Sequence, residues 1–190
     1  MNFRVNPMML LNEKLQKIKL VITDIDGVLT DGLLHYDANG EVMKSFHVRD
    51  GLGICMLIKN GIQVAVLSGR DSPILRKRIA DLGINLFFLG KLEKESACFE
   101  LIKKAGVTPE ETAYIGDDSV DLPAFSVCGL SFAVNDAMDY VKDCADHILS
   151  LPGGKGAFRE MSDMILKAQG KASVYSTAQG ILKAVNKMVQ

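Results

Sequence analysis

Short apolar runs of strand length alternate with helical patterns along most of this chain, and that alternation restricts it to few architectures. The candidate strands are Leu20–Thr23, Gln63–Leu67, Leu86–Leu89, Thr112–Ile115, Ser131–Ala133 and His147–Leu149. Between them the spacing of apolar residues predicts helices over Leu52–Lys59, Pro73–Leu82, Glu93–Lys104, Leu122–Val127 and Asp139–Cys144, with Ala157–Ala168 after the last strand. Ser72-Pro73 supplies an N-cap followed by proline at the first helical position, and Gly83 follows that helix. Thr108-Pro109-Glu110-Glu111 repeats the N-cap logic with a capping-box glutamate, after Gly106 has ended the preceding helix. Such alternation implies an α/β fold, a three-layer doubly wound parallel sheet with helices on both faces. Ligands of such sheets bind beyond the carboxyl ends of the strands, at a topological switch point. Polar residues directly following strands are therefore the functional candidates.

One segment breaks the alternation. Gly32–Phe46 reads as a hairpin, because Asn39-Gly40 lies between two strand-like runs. It follows the first strand, so it is expected to act as a flap or an assembly surface, with Leu33, Leu34, Val42, Met43 and Phe46 buried against something. No linker, repeat or second domain is evident. The expected organisation is one domain over residues 1–190, with the hairpin inserted at about 32–47, no cap domain, and a tail at about 171–190. In that tail Ile181, Leu182, Val185, Met188 and Val189 have helical spacing.

The first strand runs into Asp24-Ile25-Asp26-Gly27. Side chains two apart on extended backbone point the same way, so the two aspartates converge at the strand's end. Two carboxylates ~4 Å apart repel by ~4 kcal/mol at an effective dielectric near 20, which calls for a cation, a shared proton or solvent. The later strands end in Ser68-Gly69-Arg70, in Gly90 with Lys91 and Lys94 soon after, and in Gly116-Asp117-Asp118-Ser119-Val120-Asp121. Singly, Ser68 reads as a turn residue, Lys94 as a solvated helix residue, and Asp117-Asp118 as an acid pair at a helix start. Together they put a hydroxyl, an ammonium and an acidic cluster at one sheet edge. That inventory suits phosphoryl transfer with a hard cation held by carboxylate oxygens, most simply Mg²⁺.

Composition excludes several other classes. Net charge is −1 and no basic footprint exists for nucleic acid or an anionic membrane. No apolar run approaches membrane-spanning length and no signal-peptide core is evident, so a cytoplasmic location is expected. Cys55, Cys98, Cys128 and Cys144 lack zinc-site spacing and read as reduced, buried thiols. Gly153-Gly154-Lys155-Gly156 lacks the spacing of a P-loop, and Leu122 stands where an EF-hand loop would need glycine.

On these residues the chain resembles the haloacid dehalogenase-like phosphatase superfamily: Asp24-Ile-Asp-Gly-Val28, Ser68, Lys94 and Gly116–Asp121 match its four motifs in order. It is similar more narrowly to the capless 3-deoxy-D-manno-octulosonate 8-phosphate phosphatases, which serve lipopolysaccharide sugar synthesis. That likeness rests on Asp24–Gly32, Phe46–Gly53, Ser68–Arg70 and Gly153–Glu160. The resemblance implies Asp24 as nucleophile, Asp26 as general acid and base, and Ser68 and Lys94 as stabilisers of phosphoryl charge. It implies Mg²⁺ held by the Asp24 carboxylate, the Asp26 carbonyl and Asp117, supported by Asp118 and Asp121. Substrate contacts carried over are Asp26, His47, Val48, Arg49, Asp50, Gly51, Arg70, Arg78 and Lys94, with His47 standing where many members have asparagine. For Arg78 alone, the plain alternative is a solvated helix residue. The partners implied are a small sugar phosphate and, in place of a cap, a homotetramer in which Gly153–Gly156 reaches a neighbour's site with Lys155 and Arg159. A nonulosonate 9-phosphate is the rival substrate. A catalytically silent binding protein is the rival of another class, opposed by the presence of every catalytic residue type.

Overall fold

The structure, a computed structural model, describes residues 7–186. The elements are α1 (Pro7–Lys17), β1 (Leu20–Thr23), β2 (His35–Asp37), β3 (Gly40–Met43), α2 (Val48–Lys59), β4 (Gln63–Leu67), α3 (Pro73–Asp81), β5 (Leu86–Phe88) and α4 (Lys94–Ala105). The second half continues with β6 (Thr112–Gly116), α5 (Leu122–Val127), β7 (Leu130–Ala133), α6 (Asp139–Lys142), β8 (His147–Ile148), α7 (Ala157–Ala168), α8 (Ser173–Ser176) and α9 (Ala178–Asn186).

All six strands predicted from the apolar runs form, in the order β5-β4-β1-β6-β7-β8 and all parallel. β1 is buried along its length, as its uninterrupted Leu-Val-Ile-Thr run requires of a central parallel strand covered on both faces. The chain winds from β1 outward through β4 to β5, then returns to β6 on the other side of β1. The switch point therefore lies between β1 and β6, where Asp24 and Asp117 emerge. Helix α2 packs on α7 with α1 alongside, and α4 packs against α5 and the sheet. Side chains from both layers and the sheet make one core, including Leu20, Ile22, Ile54, Leu57, Tyr114, Phe132, Phe158 and Ile165.

Several boundaries differ from expectation. Helix α2 begins at Val48, not Leu52, because His47 caps it by accepting a hydrogen bond at Nδ1 from Arg49 N at 3.2 Å. Glycines at 51 and 53 hid that first turn in the sequence. In the hairpin Gly40 already belongs to β3, so the turn is Ala38-Asn39 rather than Asn39-Gly40. Leu33, Leu34, Val42 and Met43, expected to be buried, are exposed in the single chain; only Phe46 packs against the core. Not every thiol is buried either: Cys144 is exposed, and Cys98 and Cys128 face each other at 3.5 Å. The tail forms α8 and α9 as far as Asn186, whereas Met188 and Val189 lie outside the described residues.

The Gly153–Gly156 segment packs beneath its own chain's loop after β1. Gly154 N donates to Val28 O at 2.9 Å, and a Cβ on Gly153 would sit 1.7 Å from Gly27 O. Glycine is required there because two backbones touch.

Candidate active site

A cleft beyond the carboxyl end of the sheet is lined by Asp24, Asp26, Ser68, Gly69, Arg70, Leu92, Lys94, Asp117, Asp118 and Val120. Asp24 leaves β1 with its Oδ1 accepting from Ile25 N at 2.6 Å and its Oδ2 2.8 Å from Lys94 Nζ. Lys94 reaches the cleft as the first residue of α4, whose N-cap Glu93 accepts from the amides of Glu95 and Ser96. Its ammonium is fully buried between Asp24 and Asp121, 2.6 Å from Asp121 Oδ1. Asp121 is held in turn by Tyr114 Oη, donating at 2.7 Å, and by Asp117 N, donating to Oδ2 at 2.9 Å. This lysine is no solvated helix residue.

Carboxylate oxygens of Asp24, Asp117 and Asp121 all lie within 4.8 Å of one another. One ammonium does not neutralise three acids. Burial, with the charge of Asp121, pushes the Asp24 carboxyl up to about 7 against the pull of Lys94. Burial and the charges of Asp24, Asp121 and Asp118 push Asp117 up to about 8. Asp117 Oδ1 is buried without a hydrogen-bond partner among the described residues. Gly27 lies so close to Asp117 that a Cβ there would fall 2.0 Å from Oδ2. A cluster of oxygen donors, one unpartnered, with raised proton affinity, fits a hard dication. Asp118, expected to support that site, turns instead to Ser119 N and to Tyr140 Oη, which donates at 2.9 Å.

Asp26 stands at the hairpin side of the cleft. Its Oδ1 is 2.5 Å from Lys44 Nζ, and Arg70 Nε lies 3.7 Å from its Oδ2. Ser68 is buried with its Oγ accepting from Arg70 N at 3.2 Å. Arg70 also donates to Tyr36 Oη at 2.7 Å, fastening the hairpin over the site.

A near-complete match to a named relative decides the family. The chain is 76% identical over 180 residues, covering 95% of it and 100% of the relative, to the 3-deoxy-D-manno-octulosonate 8-phosphate phosphatase of Haemophilus influenzae. The chain belongs to the 3-deoxy-D-manno-octulosonate 8-phosphate phosphatase family. The haloacid dehalogenase-like hydrolase profile matches residues 90–156, which contain Lys94 and the Asp117 cluster. The cobalt-bound form of the Haemophilus influenzae phosphatase superposes with a TM-score of 0.88 at 78% identity, covering 89% of this chain and 99% of that one. A Moraxella catarrhalis phosphatase, solved with magnesium, phosphate and KDO (3-deoxy-D-manno-octulosonate), superposes with a TM-score of 0.83 at 37% identity, covering 86% and 94%.

Members of this phosphatase family are recognisable here from their motif residues, but the single chain does not gather every predicted contact. His47, Val48, Arg49, Asp50, Gly51 and Arg78 do not line the catalytic cleft. Arg49 lines a separate cleft of about 720 Å³ with Leu52, Leu151, Arg159 and Asp163. Val48 is largely exposed, Lys155 is exposed, and Arg159 is paired with Asp163 at 2.9 Å. Asp50, in the first turn of α2, is buried against the start of α7, accepting from Arg159 N at 2.9 Å; burial pushes its carboxyl up while that N–H pulls it down. Arg78 is not a solvated residue: its guanidinium lies 5.3 Å from the Phe46 ring centroid, in space that a Cβ on Gly51 would close. Sequence reasoning did not find Lys44, Glu41 or Tyr114. Of these only Tyr114 had a local signal, a polar-tipped residue inside a buried strand whose hydroxyl needs a partner.

Proposed function

We propose that this protein is a Mg²⁺-dependent phosphatase that hydrolyses 3-deoxy-D-manno-octulosonate 8-phosphate to KDO and phosphate through an aspartyl-phosphate on Asp24. The observation that carries the reading is the Asp24–Lys94–Asp121 arrangement beside Asp117, in a chain so close to a phosphatase of that name. Asp24, Asp117 and the loop at Asp26 would hold the metal, with Asp121 behind them. Bound there, Mg²⁺ supplies positive charge against the substrate phosphate and lets the acids stay ionised at neutral pH.

Asp24 Oδ1 is tied to the Ile25 amide, which orients the carboxylate for in-line attack on phosphorus. Lys94 is fixed by Asp121, so its charge is in place before the transferring oxygens develop theirs and need not reorganise. Ser68, buried just past the end of β4, offers its hydroxyl to the same oxygens. Asp26 gives a proton to the departing sugar oxygen and then takes one from the water that cleaves the aspartyl-phosphate. Arg70 provides a cation at the cleft mouth for the sugar acid.

The remaining substrate residues, His47–Gly51 and Arg78, lie beside the cleft rather than in it. They are reconciled with a substrate role by a homotetramer, which the exposed Leu33, Leu34, Val42 and Met43 of the hairpin favour. A cytoplasmic location and a single domain over the whole chain belong to the same proposal; no helix among the described residues is long and apolar enough to cross a membrane. Asp24→Asn tests the reading. Phosphate release from the octulosonate 8-phosphate should vanish while the melting transition persists, and undiminished turnover would refute it.

A further inference from the structure

Lys44 is a buried lysine that the reaction as described does not use. It sits just after β3, its side chain 1% exposed, with Nζ 2.5 Å from Asp26 Oδ1 and 3.0 Å from Glu41 Oε1. Glu41 is itself 7% exposed and lies 3.4 Å from Arg70 Nη2. A charged side chain is kept this deep only where partners repay its desolvation. These partners give it one evident consequence. Asp26 Oδ1 is pinned by Lys44, with Thr30 Oγ1 a further 3.4 Å donor, whereas Asp26 Oδ2 is buried and has no hydrogen-bond partner among the described residues. Arg70 Nε, at 3.7 Å, is beyond hydrogen-bond reach of that oxygen. The carboxylate is thus held by one oxygen, while the other, covered beside Arg70 and unpaired, belongs to a residue that lines the cleft.

We propose that Lys44, braced by Glu41, is the positioning residue of the reaction: it fixes Asp26 so that Oδ2 faces the ester oxygen and, later, the attacking water. The proposal rests on the reading of Asp26 as proton donor and acceptor given above. It also assigns the hairpin a task within its own subunit. β2 and β3 deliver Lys44 and Glu41, and Tyr36 receives Arg70, so the rim of the site is built by the insertion that replaces a cap.

Leaving-group dependence tests this, because kcat/KM covers only the steps up to departure of the leaving group. An alkyl phosphate such as the octulosonate 8-phosphate expels a strongly basic alkoxide and needs the proton from Asp26. p-Nitrophenyl phosphate expels a stabilised phenolate and does not. General acid catalysis is worth ~10²–10⁴-fold, and misdirecting the acid should forfeit a sizeable part of it. Lys44→Met should therefore lower kcat/KM for the alkyl ester at least ~10-fold more than for the aryl ester. Since Lys44→Met takes from Glu41 the nearer of its two cations, Glu41→Gln/Lys44→Met serves as the second variant, neutral and of similar volume, with its melting transition checked; the same bias is expected. In an Asp26→Asn background the Lys44→Met loss on the alkyl ester should disappear, as it must for two residues acting as one unit. Equal losses on the two esters in the folded variants, or additive losses in the double variant, overturn the role of Lys44 and leave the phosphatase reading intact. Absence of leaving-group bias in Asp26→Asn itself overturns the role of Asp26 on which this rests.

Discussion

Replacing Lys94 by methionine should unfold the metal-free protein more readily at alkaline than at acid pH, and the structure sets the size of the effect. The ammonium is fully buried, 2.8 Å from Asp24 and 2.6 Å from Asp121. At an effective dielectric near 20 each contact is worth ~6 kcal/mol before desolvation, and burying the three ions cancels most of that. Removing one partner of such a group leaves the others buried without compensation, at a cost of ~3–5 kcal/mol. A domain has only ~5–15 kcal/mol in total, so a change of that size is plain in a denaturation curve. At pH 8.5 in a chelator the acids must ionise without their cation and the full loss should appear. Near pH 5 Asp24 and Asp117, already pushed up to about 7 and about 8, carry protons, and the loss should shrink. Urea unfolding of Lys94→Met and the unchanged protein at the two pH values measures both numbers. With Mg²⁺ restored, turnover should fall ~10²–10³-fold, the usual loss of one fixed charge stabiliser. Equal urea midpoints for the two proteins at pH 8.5 would refute the claim that Lys94 holds the acidic cluster together.

Three further outcomes follow from the same geometry. The metal-free protein should lose stability as pH rises from about 4 to about 8, because Asp24 and Asp117 bind protons in the folded chain that an unfolded carboxylate has released; Mg²⁺ should accordingly raise the melting temperature much more at pH 8.5 than at pH 5.5, and an equal shift at both would contradict the cluster's role. Gly153→Ala forces a Cβ to within 1.7 Å of Gly27 O, so it should destabilise the protein by at least ~1–3 kcal/mol and displace the loop carrying Asp26; wild-type melting and turnover would show that the contact is not made. Light scattering should find a tetramer, and Val42→Lys on the exposed hairpin should weaken it; a fully active monomer at micromolar concentration would contradict the shared-site proposal.

The sheet and the centre of the site were legible in the sequence because both depend on local rules. Each strand is a short apolar run, and Asp24, Ser68 and Asp117 each follow one directly, as with Asp24 after Leu20–Thr23 and Asp117 after Thr112–Gly116. What escaped depends on contacts between distant segments. Lys44 and Glu41 look like solvated charges on an edge hairpin, and no local pattern reveals that Asp26, eighteen residues before Lys44, is the lysine's partner. Helix α1 is not among the helices that the apolar spacing predicts, because Asn12 and Glu13 interrupt its apolar residues. The glycines at 153 and 154 signal a close backbone approach, but a sequence does not say to which backbone; the answer is the chain's own catalytic loop. The hairpin's apolar residues called for burial that one chain alone does not provide.

The central claim is one of substrate and chemistry together. Phosphate release should be followed over a panel of the octulosonate 8-phosphate, a nonulosonate 9-phosphate and simple sugar phosphates, each with Mg²⁺ and with a chelator. The account predicts Mg²⁺-dependent turnover with kcat/KM for the octulosonate ester at least ~10-fold above every other ester, a difference of ~1.4 kcal/mol in transition-state stabilisation. A preference of that size for another phosphate, or release that persists undiminished in chelator, would contradict it.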